Sequence, residues 1–290
     1  MSARAWGRPG VFCAIGVAAA VLVSPALGQA EGAAPAAPAS EPIPAESLPS
    51  AEELFEAYVE AIGGDAVIRA TQTRRFVGRV SVYARGQEAP IQQGRIEIWG
   101  SAPWTAVQDT IFPGQGSLRT IVDGGKVWQL DESDTVREIT GPTAARQLVS
   151  ARFYQLAEWR DMFSSIEVVD GVARGDQRAA RVAATHVDGR NELYIFDLDS
   201  GLLLAVTGER PSPTGGEGLV PFQRSYEDYT EAEDGVLYPN RVVEAAGPVA
   251  FEILVSEIET GVDVPEFDVP DFSVAPADAE IDAEDGDGGE

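Results

Sequence analysis

Between residues 189 and 259, short β-branched and aromatic segments follow one another with turn residues between them and no helical periodicity, which predicts an antiparallel meander. Asn191-Glu192-Leu193-Tyr194-Ile195-Phe196 leads into the turn Asp197-Leu198-Asp199-Ser200-Gly201, and 202–206 returns. The Gly/Pro-rich stretch 211–218 connects to strands at 222–229, 236–244 and 249–258, parted by Glu233-Asp234-Gly235 and Gly247-Pro248. Aspartate and glycine suit these turns because they tolerate the left-handed backbone of tight hairpins. Earlier in the chain the same mixture of β-formers and breakers predicts strands at 75–85, 94–100, 104–112, 117–123, 126–131, 135–139, 165–170 and 178–185.

Helical spacing interrupts this pattern twice. Ser50-Ala51-Glu52-Glu53 is a capping box, Leu54, Phe55, Tyr58, Val59 and Ile62 form one apolar stripe, and Gly63-Gly64 ends it, so a helix of about three turns is predicted. Residues 65–70 suit a further short helical turn. Pro142 stands where a first turn accepts it, 143–153 carries Ala, Leu, Val and Phe at helical spacing, and a second piece is predicted over 156–163.

The two ends read differently from the middle. Residues 1–30 have the pattern of a secretory signal peptide: Arg4 and Arg8, an apolar run over 11–23 too short to span a bilayer, then small residues with cleavage expected after Gly28 or Ala30. Cys13, the single cysteine, lies inside that run, so a trimmed chain has no thiol for disulfides, catalysis or metal binding. Residues 31–49 are rich in alanine and proline and predict a linker, 50–273 the folded domain, and 274–290 a solvated acidic tail. Proline alternates with apolar residues over 264–272, which predicts an extended segment lying against the domain.

An N-terminal helix ending in Ile62-Gly63-Gly64, a long run of strands, a central helical interruption and a final meander together resemble the LolA/LolB-like superfamily, the periplasmic outer-membrane lipoprotein-sorting-protein-like proteins. The local matches are Ala57-Tyr58-Val59-Glu60-Ala61-Ile62-Gly63-Gly64, Leu193-Tyr194-Ile195-Phe196-Asp197 with Ser200-Gly201-Leu202-Leu203, and Asp228-Tyr229 followed by Asp234-Gly235-Val236-Leu237-Tyr238-Pro239. The likeness spans residues 50–272. It implies an α+β fold: a strongly curved antiparallel sheet, an incomplete β-barrel, whose concave side is covered by helices over an apolar cavity. With the pattern above, one such domain of about ten strands is expected, carrying the N-terminal helix and a central helical pair. The resemblance implies binding or carriage of a lipid or lipoprotein acyl chain in the periplasm.

Charge and chemistry narrow the functional classes. The formal net charge is −26, with 47 acidic residues against 21 lysines and arginines, so nucleic acid and anionic membrane surfaces would be repelled. The partner expected is a hydrophobic ligand, with transient contact to membrane-associated partners left open. His186 is the only histidine, in Thr185-His186-Val187-Asp188-Gly189, and no Gly-x-Ser-x-Gly elbow accompanies it, so it reads as a partly exposed turn residue. Gly114-Gln115-Gly116-Ser117 lacks the lysine and helix of a phosphate loop. Glu97 with Asp109, and Glu227 with Asp228, are what the solvated faces of an acidic protein contain. No cofactor, metal or catalytic residue is expected, and the chain reads as a non-enzyme.

Large aromatic residues are the more informative set. Trp99, Trp104, Phe112, Trp128, Trp159, Phe163, Tyr194 and Phe196 fall on predicted strands or covering helices and are the candidate lining of a ligand cavity. A ligand is expected to enter near Trp104, Trp128 and Trp159. The alternative is that aromatics like these fill the core themselves, which would make the protein a structural or protein-interaction module.

Overall fold

The computed structural model describes residues 40–264 apart from residue 134 and residues 213–217. The expected signal peptide, the acidic tail, most of the linker and nearly all of 264–272 lie outside the described residues. Strand alternation dominates what is described. The strands are β1 (Ser40–Ile43), β2 (Thr73–Ala84), β3 (Gln92–Ser101), β4 (Thr105–Phe112), β5 (Gly116–Asp123), β6 (Lys126–Asp131) and β7 (Val136–Ile139). After a helical interruption come β8 (Phe163–Arg174), β9 (Gln177–His186), β10 (Asn191–Asp197), β11 (Leu203–Pro211), β12 (Leu219–Glu231), β13 (Leu237–Ala246) and β14 (Val249–Thr260).

These fourteen strands form one sheet in the order β1-β8-β9-β10-β11-β12-β13-β14-β2-β3-β4-β5-β6-β7. Neighbouring strands are antiparallel, and the sheet is not closed: β1 and β7 are its edges. Each strand segment expected from the sequence is a separate strand, so the expected about ten strands falls short of the count. One further strand arises within the stretch read as a linker, where Ser40–Ile43 pairs with β8. The two runs of hairpins meet where β14 pairs with β2, from Val249 opposite Ala84 to Thr260 opposite Arg74, with a shift of register between Val255 and Glu257.

Helix α1 (Ala51–Ala61) begins at the predicted cap: Ser50 Oγ accepts from the Glu53 N–H, and the Glu53 carboxylate accepts from the Ser50 N–H at 2.8 Å. It ends at Gly63, with φ of 126°, and a Cβ there would lie 2.8 Å from the Gly235 carbonyl oxygen. Glycine therefore lets the helix end sit against the turn between β12 and β13. A short α2 (Asp65–Ala70) follows. Between β7 and β8 the chain forms α3 (Gly141–Ser150), a 3-10 turn (Gln155–Glu158) and the four-residue α4 (Trp159–Met162). The helix expected over 156–163 is thus broken, and Phe163 already belongs to β8.

Burial of the α1 stripe organises the main core. Phe55, with no exposed surface, touches the rings of Trp159, Phe163, Tyr194 and Phe196 at centroid distances of 5.3, 5.4, 5.6 and 5.0 Å. A smaller cluster joins Val80, Val82, Ile96, Phe112 and Ile253 across β2, β3, β4 and β14. Another packs Ala144 and Ala151 against Val122 and Val127, which seats α3 on β5 and β6.

Candidate functional site

Alternate residues of a strand share a face, so the register tells which side chains can meet. Phe76 lies opposite Ile98, Ile98 opposite Gln108, and Gln108 opposite Thr120, one row on one face across β2 to β5. This row lines a cleft of about 270 Å³, together with Arg224 and Tyr226 of β12, Val242 of β13, Gln147 and Ser150 of α3, and Ala151 just after it. Thr120 and Tyr226 border the same cleft although five strands lie between β5 and β12 in the sheet.

Arg74 also lines this cleft. It lies opposite Gly100, whose missing side chain leaves room for the Phe153 ring: a Cβ on Gly100 would sit 3.3 Å from it. The Arg74 guanidinium lies 4.2 Å from the centre of the Phe153 ring, 5.5 Å from that of Phe76 and 5.8 Å from that of Tyr238, within cation–π range. Arg74, Phe76 and Phe153 also line a second cleft of about 160 Å³ that runs under α1 between Tyr58, Ile62, Ile68 and Val236. Burial, then the neighbouring Tyr226, pushes the Tyr58 hydroxyl well above the usual phenol range, so it is a neutral hydrogen-bonding group at any physiological pH.

A third cleft, about 60 Å³, is polar. Its floor is Glu192, 9% exposed. The carboxylate is 2.9 Å from His186 Nε2, accepts from the Tyr194 hydroxyl at 2.9 Å and from Arg190 at 3.3 Å, and lies 3.5 Å from Arg146. Burial drives its pKa upward, but the His186 hydrogen bond and the charges of Arg146, His186 and Arg190 outweigh that and hold it at about 2. Burial and the Arg224 charge in turn bring the Arg146 guanidinium down to about 10. Deeper still, Glu244 has no exposed surface and is flanked by Arg210 and Arg224. Gln155 and Tyr226 border all three clefts.

His186 is not the partly exposed turn residue expected: it is 3% exposed at the end of β9, where the pairing with Glu192 pulls it inward. Ser164 donates to the backbone carbonyls of Thr185 and His186, not to the imidazole. Among the described residues no group of three or more His, Cys, Asp or Glu could hold a metal ion, and no helix is long and apolar enough to cross a membrane.

The eight candidate aromatics do not gather at one place. Trp159, Phe163, Tyr194 and Phe196 meet around Phe55 in the core, and Tyr194 also borders the small polar cleft. Phe112 belongs to the cluster with Val80 and Ile96. Trp104 is 45% exposed beside Arg152, 4.6 Å from its ring centre. Trp99 borders the cleft of about 270 Å³. Trp128 lies opposite Ile121, one residue out of step with Thr120 and Val122, and so on the other face of the sheet. Cleft residues missing from that set include Arg74, Phe76, Ile98, Phe153, Tyr226 and Val242. The spacing of Arg74 and Phe76, two apart in one strand, was the signal that they share a face.

No family model matches the sequence, and no curated protein matches it. Solved structures do: the fold is that of the LolA-like proteins, as the resemblance in sequence implied. A LolA superfamily protein from Nitrosomonas europaea superposes with a TM-score of 0.52 at 14% identity, over 75% of this chain and 96% of that one. An outer membrane lipoprotein-sorting protein domain from Vibrio parahaemolyticus, described as putative, gives 0.52 at 13% identity over 74% and 95%. A DUF1329 family protein from Desulfovibrio piger gives 0.52 at 9% identity over 74% and 94%.

Proposed function

We propose that this protein binds and carries a hydrophobic ligand, a lipid or a lipoprotein acyl chain, in the periplasm and catalyses no reaction. The observation that carries the reading is the cleft of about 270 Å³ bordered by Phe76, Ile98, Val122, Phe153 and Val242, side chains that offer a ligand apolar contact. Each methylene buried there contributes about 0.8 kcal/mol, so six of them contribute about 5 kcal/mol without any specific polar contact.

The sheet wraps around this cleft, with the helices closing its concave side. Two observations support that. In a flat sheet the six strand spacings from β12 to β5 would hold Tyr226 and Thr120 about 29 Å apart, yet both border one cleft. The connection from β7 at one edge to β8 beside the other carries α3 and α4, and α3 residues border the same opening. Eight of the aromatics expected to line the cavity are divided between core, rim and outer face, so the ligand contacts belong to the cleft residues named here, with Trp99 at the border. The similarity in fold to a lipoprotein-sorting domain accords with the reading.

The alternative, a module whose cavity its own side chains fill, is favoured by the closed packing around Phe55. Titration with a fluorescent fatty-acid analogue separates the two. The wild-type protein is expected to bind it at one site, and Ile98→Trp, which fills the cleft, to bind it at least about tenfold more weakly with an unchanged melting temperature. No binding by the wild type, with no lipid in its native mass spectrum, would leave the self-filled module as the reading.

A further inference from the structure

We infer that the ligand of these clefts carries an anionic head, a carboxylate or a phosphate monoester, and that Arg74 binds it. The inference rests on the hydrophobic-ligand reading and specifies which amphiphiles the site takes.

The lining of the clefts departs from the composition of the chain. Acidic residues outnumber lysines and arginines 47 to 21, yet the described residues around the two larger clefts include Arg74 and Arg224 and no aspartate or glutamate. Arg224 is held by Glu244 at 2.6 Å. Arg74 has no carboxylate within ion-pair distance among the described residues; its neighbours are the Phe153, Phe76 and Tyr238 rings and the Tyr238 hydroxyl, which hydrogen-bonds to it and in turn donates to Asp234.

The contrast with the next residue shows that this is a property of the face and not of the strand. Arg75 projects to the opposite side of β2, where Glu97 and Glu259 lie 2.5 and 2.6 Å from its guanidinium nitrogens. Two adjacent arginines thus have opposite surroundings: two carboxylates outside, rings inside.

A half-buried cation among apolar side chains, without a counter-charge, is costly, and an anionic ligand removes that cost on binding. A guanidinium has five N–H donors, so one hydrogen bond to the Tyr238 hydroxyl leaves enough of them to take a carboxylate or phosphate through two parallel hydrogen bonds. Arg74 stands where the two larger clefts meet, so a head bound to it can send its chain past Ile98 and Val122 or past Ile62 and Val236. The other arginines bordering the clefts are already engaged by carboxylates, Arg146 and Arg190 by Glu192 and Arg224 by Glu244, which leaves Arg74 as the better place for the head.

The experiment compares oleate, oleyl alcohol and dodecyl phosphate with chain-free acetate and inorganic phosphate, each displacing a fluorescent fatty-acid analogue from the full chain. Oleate is expected to bind at least about tenfold more tightly than oleyl alcohol, the discrimination one charge-assisted hydrogen bond provides, while acetate and phosphate displace nothing. Arg74→Met should bring oleate to within about twofold of the alcohol and leave the alcohol unchanged, with Arg74→Lys falling between. Whichever of laurate and dodecyl phosphate, added as a pair matched in chain length, binds more tightly identifies the head.

Equal binding of oleate and oleyl alcohol by the wild type would overturn the anionic head and leave the hydrophobic-ligand reading standing. Failure of both to bind would overturn that reading and the inference with it. Displacement by inorganic phosphate alone would show a free-anion site and overturn the amphiphile. Should Arg74→Met not fold, Arg74→Lys and the wild-type ratio decide, and an unchanged ratio in Arg74→Lys with a lowered salt sensitivity of neither ligand counts against Arg74.

Discussion

Glu192 ties acid stability to one buried carboxylate. Its folded pKa of about 2 lies below the ordinary glutamate value, so its ionised form stabilises the protein above about pH 4.5, and that contribution is lost as the pH falls toward 2. The shift corresponds to about 3 kcal/mol. Glu192→Gln is expected to lower stability at pH 7, since Arg146 loses its carboxylate and Arg190 keeps only Asp188, and to show a shallower decline between pH 6 and pH 2.5. Urea midpoints of both proteins across that window measure it, and parallel declines would mean that Glu192 does not titrate as a paired group. Phe55 is the corresponding apolar case. Removing a ring that touches four others should cost about 3 to 5 kcal/mol in Phe55→Ala, read by chemical denaturation. That Phe55 would be buried was legible, because it stands on the apolar stripe of a capped helix. The role of Arg74 was not: its surroundings depend on which face it takes and on Phe153, from a different element, reaching over Gly100. Aromatic size, the property used to choose cavity residues from the sequence, marks core and cavity alike, which is why Trp159 and Phe196 were chosen and Tyr226 was not.

Among the elements, the pairing of β2 with β14 has little tolerance. A Cβ on Gly78 would fall 2.4 Å from the Leu254 carbonyl oxygen, next to the irregular register between Val255 and Glu257. Backbone on both sides of that contact leaves no flexible group to yield. Gly78→Ala is expected to destabilise the protein by about 2 kcal/mol, as overpacking does, and a change below about 0.5 kcal/mol would show that β14 shifts to make room. The strand segments themselves were legible since alternation and turn residues mark them independently of their partners. Two elements were not. Ser-Glu-Pro-Ile at β1 has no strand pattern and becomes one by pairing with β8. The helix expected over 156–163 gives way to a 3-10 turn and four residues of α4, because Trp159 and Met162 are drawn into the core and Phe163 into the sheet.

For the whole molecule, the sequence foretold one antiparallel sheet with a few helices, and the fold is of that kind; the order of strands within it was out of reach, because nothing local marks β14 as the partner of β2. The export expectation is tested on the protein itself. Sequencing the N-terminus of protein recovered from cells should give a start close to residue 29 or 31, and retention of Met1 would reject the signal peptide.

The joining of β2 to β14 also dictates when the protein can fold. Arg75 and Glu259, paired across that seam, are 184 residues apart in sequence. Hairpins such as β2–β3 form from neighbours, but one side of β2 waits, its backbone N–H and C=O groups unpaired, until the last described strand has been made. A chain whose central strand is completed last closes the longest loop late, which slows folding and prolongs exposure of an edge that other chains can join. The same seam that unites the finished sheet is therefore the period of greatest risk in its making, and any factor that escorts the nascent chain has to hold it until β14 arrives.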